Sequence, residues 1–418
     1  MTPRVLLICY YFPPLGGAGV GRPLSLFRLL PAHGLHCDVL TVKPVAYRVF
    51  ETELLEGLDR SCIHRSGSYD PQRLMYLAGI RKVSDAKIRR AGWLSDRFFP
   101  DNKRGWVRRA VQKAKSLMRA NEYAAIISTS PPISCHSVAE ALVAETGLPW
   151  IADFRDYWLS HKIEDTFADR ARCERAWKLI DSFKRRAAAL TTCNPAIAQY
   201  LGSGRTIYNG YDNDLARIWQ PPSDRTTVNI GLLGTFDELV PVEPLFQLLA
   251  MLRKQSPELF NRIKLLQVGR LDTDWFQAQL HKYQLSGIIQ AHGFQSRRRT
   301  IEILSVSSLL YISLASTKEQ GIVPSRLFDL FASGRPIIAA VPPDSQVAQM
   351  IEETQSGCSF DQNSSSELSR AVEFVMEMAR KAIDGTLIID PRPGYARRYT
   401  SEAMVEQFVQ VIREVTQD

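Results

Sequence analysis

Chemistry is concentrated where Pro324, Ser325 and Arg326 open a run that continues through Asp329 to Gly334-Arg335-Pro336. Pro and Ser at the start, and Gly followed by Pro at the end, predict a short helix feeding a strand. The unpaired amides of such a start, the Ser325 hydroxyl and the Arg326 charge suit a diphosphate, and Asp329 one turn on suits ribose hydroxyls. The plainer alternative is a capped helix with a first-turn carboxylate. A second candidate is the loop Tyr10-Tyr11-Phe12-Pro13-Pro14-Leu15-Gly16-Gly17-Ala18-Gly19-Val20-Gly21-Arg22. Its glycines allow close backbone approach to a ligand ahead of a helix, although Gly17-x-Gly19-x-Gly21 lacks the dinucleotide spacing and Thr41-Val42-Lys43 offers no ribose-binding acid. The third is Asp153-Phe154-Arg155-Asp156-Tyr157-Trp158, where Asp153 and Asp156 flank an arginine. They could orient a sugar or accept a proton, or could form a buried ion pair.

No metal site is read from the sequence. Asp272-Thr273-Asp274 matches a short acidic metal motif but falls at a predicted helix start, where aspartate caps. The seven histidines show no ligand spacing, and the seven cysteines form no C-x-x-C pair, so they are read as reduced, without a disulfide framework or zinc site.

The elements that must position these groups alternate in a simple way. Short runs rich in Val, Ile and Leu predict strands near Val5–Cys9, Asp38–Val42, Ala124–Thr129, Trp150–Asp153, Leu190–Thr192 and Thr206–Tyr208, with helices between them. After a linker at Asn209–Asp212 and Gln220–Asp224 the pattern restarts near Asn229–Leu233, Lys264–Val268, Ile288–His292, Leu309–Ser313 and Pro336–Ala340. This alternation predicts an α/β fold of two Rossmann-like domains with parallel sheets. The expected division is 1–212, 213–395, and a C-terminal amphipathic helix within 396–418. A chain of 418 residues exceeds what one growing core supports. No window reaches the roughly 18 apolar residues of a membrane span, and the amino-terminal apolar run is too short for a signal peptide, which points to the cytoplasm.

Charge is unevenly spread. Residues 1–200 hold 30 Lys and Arg against 19 Asp and Glu, a balance of +11, and the remainder balances at −3. Thirteen basic residues fall between Arg81 and Arg119, interleaved with Trp93, Phe98, Phe99 and Trp106. That composition predicts an anionic membrane surface as partner, with a solvated helix face as the alternative and no nucleic-acid role.

In order and spacing, the Tyr10–Arg22 loop, the Asp153–Trp158 turn, Tyr208-Asn209-Gly210-Tyr211-Asp212 and the Pro324–Pro336 helix resemble glycosyltransferase family 4, especially its bacterial exopolysaccharide, capsule and O-antigen branch. The resemblance implies the GT-B fold, with a C-terminal helix crossing back to the first domain. It implies retaining, metal-independent transfer of a sugar from a nucleotide-sugar donor to a lipid-linked or saccharide acceptor at the inner membrane face, without a cofactor. By the same resemblance, Gly16 and Gly17 face the donor diphosphate and acceptor, and Pro324, Ser325, Arg326 and Asp329 hold the nucleotide. The family's paired glutamates are replaced by Gly321 and Asp329. Glu319 nearby joins Asp153 and Asp156 as a catalytic candidate. The basic pair expected after the first strand of the second domain is also absent around Gly234, leaving Arg270 as its candidate replacement. A sugar-nucleotide epimerase and a degenerate binding subunit are the two rival readings.

Overall fold

The structure, a computed structural model, describes residues 2–47, 49–82, 98–158, 167–236, 240–271, 273–285, 287–314, 321–390 and 393–417. It divides into two compact units: 2–209 together with 401–417, and 210–400. The chain thus leaves the first unit after Asn209 and re-enters it at Ser401.

Unit 1 is built on a seven-stranded, wholly parallel sheet. Its strands are β1 (Arg4–Ile8), β2 (His36–Val42), β3 (Ile63–Ser66), β4 (Ala125–Ser130), β5 (Trp150–Phe154), β6 (Ala189–Thr192) and β7 (Arg205–Thr206), in the order β3-β2-β1-β4-β5-β6-β7. The central strands are buried on both faces, which is why they read as nearly continuous apolar runs. Helices Gly21–Leu29, Arg104–Ala120, Ser134–Thr146 and Phe167–Arg186 connect them. The helix Ser401–Thr416 completes this core, contributing Met404, Val405, Phe408, Val409, Val411 and Ile412.

Unit 2 repeats the plan with six parallel strands: β8 (Val228–Leu233), β9 (Ile263–Val268), β10 (Ile289–Ala291), β11 (Leu309–Ser313), β12 (Ile337–Ala340) and β13 (Gly357–Phe360), ordered β10-β9-β8-β11-β12-β13. Its core gathers Ile230 and Leu232, Leu245 to Leu252 of the helix Glu243–Gln255, and Val372, Val375 and Ala379 of the helix Ser365–Asp384. The buried Arg335 ties the incoming chain to this unit. Its guanidinium donates to the carbonyls of Ser307, Ser333, Ser305 and Gln220 and stacks on Trp219 at 4.7 Å, and burial lowers its pKa to about 9.

Two strands escaped the sequence patterns, β3 and β13, and each lies at a sheet edge. The predicted helix at Pro324–Gly334 is present as Arg326–Ser333, closed by Gly334 in the left-handed region.

Candidate functional site

In an open parallel sheet, the loops beyond the carboxyl ends of the strands part where strand order reverses, leaving a crevice for a ligand. In unit 2 that point lies between β8, whose next strand is β9 on one side, and β11 on the other. Gly234 follows β8, Ser313 ends β11, and Arg326 begins the helix after it. Arg326 donates Nη2–H to the Ser313 carbonyl at 3.1 Å, and its guanidinium passes directly over Gly234. A Cβ there would collide with Arg326 Nη1, and the φ of 127° disfavours any other residue, so Gly234 makes room for the arginine. Behind them the buried Gln267 donates Nε2–H to the Gly234 carbonyl at 3.3 Å.

Three polar atoms at this point lack a hydrogen-bond partner among the described residues: Gln267 Oε1, Arg326 Nε and Ser313 Oγ. Buried polar groups are normally satisfied, so such a group of orphans at a crevice marks unfinished hydrogen bonding. Burial lowers the Arg326 pKa, yet an arginine guanidinium stays charged at neutral pH.

The neighbouring predicted residues are placed as follows. Ser325 is exposed and makes no capping bond, with Pro324 half-buried before it. Asp329 is engaged by a side chain that the sequence reading did not single out: Arg297 reaches it with Nη2 at 2.6 Å and Nε at 3.3 Å. A ribose hydroxyl at Asp329 would meet this ion pair rather than a solitary carboxylate. Arg270 is half-buried after β9, and its carbonyl accepts Phe236 N–H at 3.2 Å. Glu319 and Asp272 lie outside the described residues.

Unit 1 has its reversal between β1 and β4, flanked by the glycine loop. Gly16 accepts no side chain because Val49 and Glu51 press against it, whereas Gly17, at φ 90°, borders open space. Arg155 ties together the loops on the two sides of the crevice, donating to the carbonyls of Gly19 (2.9 Å), Ser130 (3.0 Å) and Pro131 (3.4 Å). Asp156 is exposed and accepts the Tyr157 N–H at 2.9 Å.

Asp153 is the main correction to the site. It is fully buried, and both oxygens are occupied: Arg22 donates at 2.8 and 3.0 Å, Thr129 at 2.7 Å and Thr191 at 2.8 Å. Burial alone would raise its pKa, but the Arg22 charge and bonds, with Arg155 and Thr129, hold it below the ordinary value. The ion-pair alternative therefore holds for Asp153: it anchors the loop, and no surface is left for a sugar or a proton. Arg22 completes the anchor by donating to the carbonyl of Ile207 at 2.8 Å and lying over the Phe408 ring at 4.8 Å. His136 is likewise interior, bonded to Ser128 at 2.7 Å among Phe154, Trp150 and Phe183, with its pKa lowered by burial to about 3.

The basic segment also needs revision. Trp106 is fully buried against Tyr10 at 5.5 Å, and Phe99 packs on Trp158, so Trp106 cannot enter a headgroup layer. Trp93, Arg89 and Arg90 lie outside the described residues. The same unit exposes Arg104, Arg108 and Arg109 and four apolar residues that the sequence reading passed over: Tyr69, Leu74, Leu77 and Ile80, exposed by 61, 52, 65 and 42%. Arg109 touches the Tyr69 ring and hydroxyl, which sets Tyr69 against the basic helix.

No family model matches the sequence, and no curated protein matches it. Solved structures do. Sucrose-phosphate synthase from Thermosynechococcus elongatus is similar at 14% identity and TM-score 0.63, covering 99% of both chains. Anabaena HepE, in complex with UDP and glucose, is similar at 15% identity and TM-score 0.61, covering 98% of both. WaaG, a glycosyltransferase involved in lipopolysaccharide biosynthesis, is similar at 13% identity and TM-score 0.58, covering 98% of this chain and 99% of that one. The chain has the two-Rossmann-domain GT-B fold.

Proposed function

We propose that the chain is a retaining, metal-independent glycosyltransferase that moves a sugar from a nucleotide-sugar donor to a lipid-linked or saccharide acceptor in cell-surface polysaccharide synthesis. One observation carries the reading: the Arg326 guanidinium held over Gly234 at the unit 2 reversal point, with Arg326 Nε and Gln267 Oε1 unpartnered. Fold likeness to a sugar transferase and to a protein holding UDP and glucose supports it.

In this reading unit 2 binds the donor. The diphosphate lies against the Pro324–Ser325 helix start, and Arg326 together with the helix dipole stabilises the negative charge that grows as the nucleoside diphosphate departs. No metal is required for that step, because the positive charge is supplied by the protein. Unit 1 receives the acceptor, and Asp156 is its exposed carboxylate for the acceptor proton. The surface of Tyr69, Leu74, Leu77 and Ile80 with Arg104, Arg108 and Arg109 rests on the anionic inner face of the membrane, combining apolar insertion with charge. No described helix is long and apolar enough to span it.

Incubation with nucleotide sugars, with and without a polyprenyl-diphosphate-linked sugar, tests the function. Acceptor-dependent release of nucleoside diphosphate with a lengthened glycan supports transfer. Epimerisation without acceptor, or no turnover of any donor, overturns it. Turnover that persists in excess EDTA, below the melting temperature, tests the metal independence.

A further inference from the structure

The amino ends of β2 and β3 carry a second group of chemically able side chains, at the opposite end of the parallel strands from the glycine loop. Alternation along a strand places His36 and Asp38 on one face of β2, and the parallel register that pairs Val39 with Ile63 brings Cys62 beside Asp38. His36 Nε2 lies 3.5 Å from Cys62 Sγ and 3.6 Å from Asp38 Oδ1, and the three donor atoms are all within 4.8 Å of one another. With bonds of about 2.0–2.3 Å, neighbouring ligands of a tetrahedral zinc ion stand about 3.3–3.6 Å apart. The two measured separations involving His36 fall at that spacing.

We infer that His36, Asp38 and Cys62 form a binding site for a divalent transition metal of the zinc class. An imidazole, a thiolate and one carboxylate oxygen are the donor set that such an ion selects over magnesium or calcium. The carboxylate is already arranged to offer a single oxygen. Its Oδ2 accepts Arg4 Nη1 at 2.6 Å and the Tyr123 hydroxyl at 2.7 Å, while His64 Nε2–H steadies Oδ1 at 3.2 Å. These are the outer contacts that fix a ligand's orientation around a metal. His36 is partly exposed, so an ion can enter from solvent and keep water as its fourth ligand. On binding, the Cys62 thiol gives its proton to solvent and the thiolate bonds the ion, with no change of oxidation state. Asp59, whose Oδ2 lies 3.5 Å from Cys62 Sγ, accepts that thiol proton in the metal-free protein. The ion would clip the starts of two adjacent strands and takes no part in sugar transfer, which the reading above assigns to the carboxyl ends of the strands.

Titrating the metal-free full chain with Co2+ under a thiol-free reductant tests the site. The expected result is one ion per chain with a thiolate-to-cobalt charge-transfer band. That band is lost in Cys62→Ser, kept in Cys358→Ser, and shifted to more than about tenfold higher cobalt in His36→Gln. Zn2+ should raise the melting temperature of the wild type but not of His36→Gln. Absence of the band, or a band and zinc shift unaltered in His36→Gln, overturns the site. Should Cys62→Ser fail to fold, the partly exposed His36 carries the decision alone.

Discussion

The two reversal points are built alike and finished differently. Around β1 and β4 the charged groups close on one another: Asp153 takes four bonds from Arg22, Thr129 and Thr191, and Arg155 spends its guanidinium on three backbone carbonyls. Around β8 and β11 the cation donates to the Ser313 carbonyl and, among the described residues, leaves Nε and the nearby Gln267 Oε1 unmatched. A saturated network fixes loop geometry. An unsaturated one retains binding capacity for a partner that is not protein.

The difference can be broken most forcefully from the closed side. Arg22→Ala, which strands Asp153 as a buried charge, should cost about 3–5 kcal/mol of unfolding free energy in denaturant titrations. A loss below about 1 kcal/mol would mean that the anchor is not closed. Arg326→Ala should behave in the opposite manner, weakening nucleoside-diphosphate binding by about 1–3 kcal/mol in calorimetry while the denaturation midpoint barely moves. Unchanged affinity would remove the donor site from this helix.

Acid should also separate the units. His136 is neutral in the fold with its pKa lowered to about 3, whereas an unfolded histidine takes a proton near pH 6.5. The unfolded state therefore binds more protons as pH falls, and stability present above about pH 6.5 is lost below it. Between pH 7 and 5 the loss from this group is about 2 kcal/mol. Scanning calorimetry should show the transition of unit 1 falling with acid, and a flatter dependence in His136→Phe. The smallest expected effects are at the surface. Arg108→Glu and Arg109→Glu should each weaken co-sedimentation with anionic vesicles by about 1 kcal/mol at low salt, and Leu77→Ser should weaken the remainder that persists at high salt. Indifference of the protein to such vesicles would remove the membrane from the proposal.

The sequence exposed the interior of this fold better than its margins. Central strands such as Val5-Leu6-Leu7-Ile8 are apolar on both sides and stand out as runs, whereas Ile63-His64-Arg65-Ser66 and Gly357-Cys358-Ser359-Phe360 are edge strands with little such signal. The site followed the same division. The helix start at Arg326 was legible because capping and turn residues are local signals. The partner of Asp153 was not, since the adjacent Arg155 drew attention while Arg22 lies 131 residues earlier. Likewise Arg297, 32 residues before Asp329, becomes its partner only through folding. The His36-x-Asp38 and Cys62-x-His64 pairs each have strand spacing, yet only the β2–β3 register sets one beside the other.

The discontinuity of unit 1 has a consequence for biosynthesis. Phe408 and its neighbours on the helix Ser401–Thr416 belong to a core whose other members precede residue 210, so a nascent chain carries an incomplete unit 1 for as long as all of unit 2 is being translated. At about 5–20 residues per second that interval lasts roughly 10–40 s. Throughout it, Arg22 lacks the ring that covers it, and the apolar seat of the last helix faces solvent or a chaperone. Unit 2, whose residues are contiguous, can finish first, so the amino-terminal half of the polypeptide is the last to reach its final form.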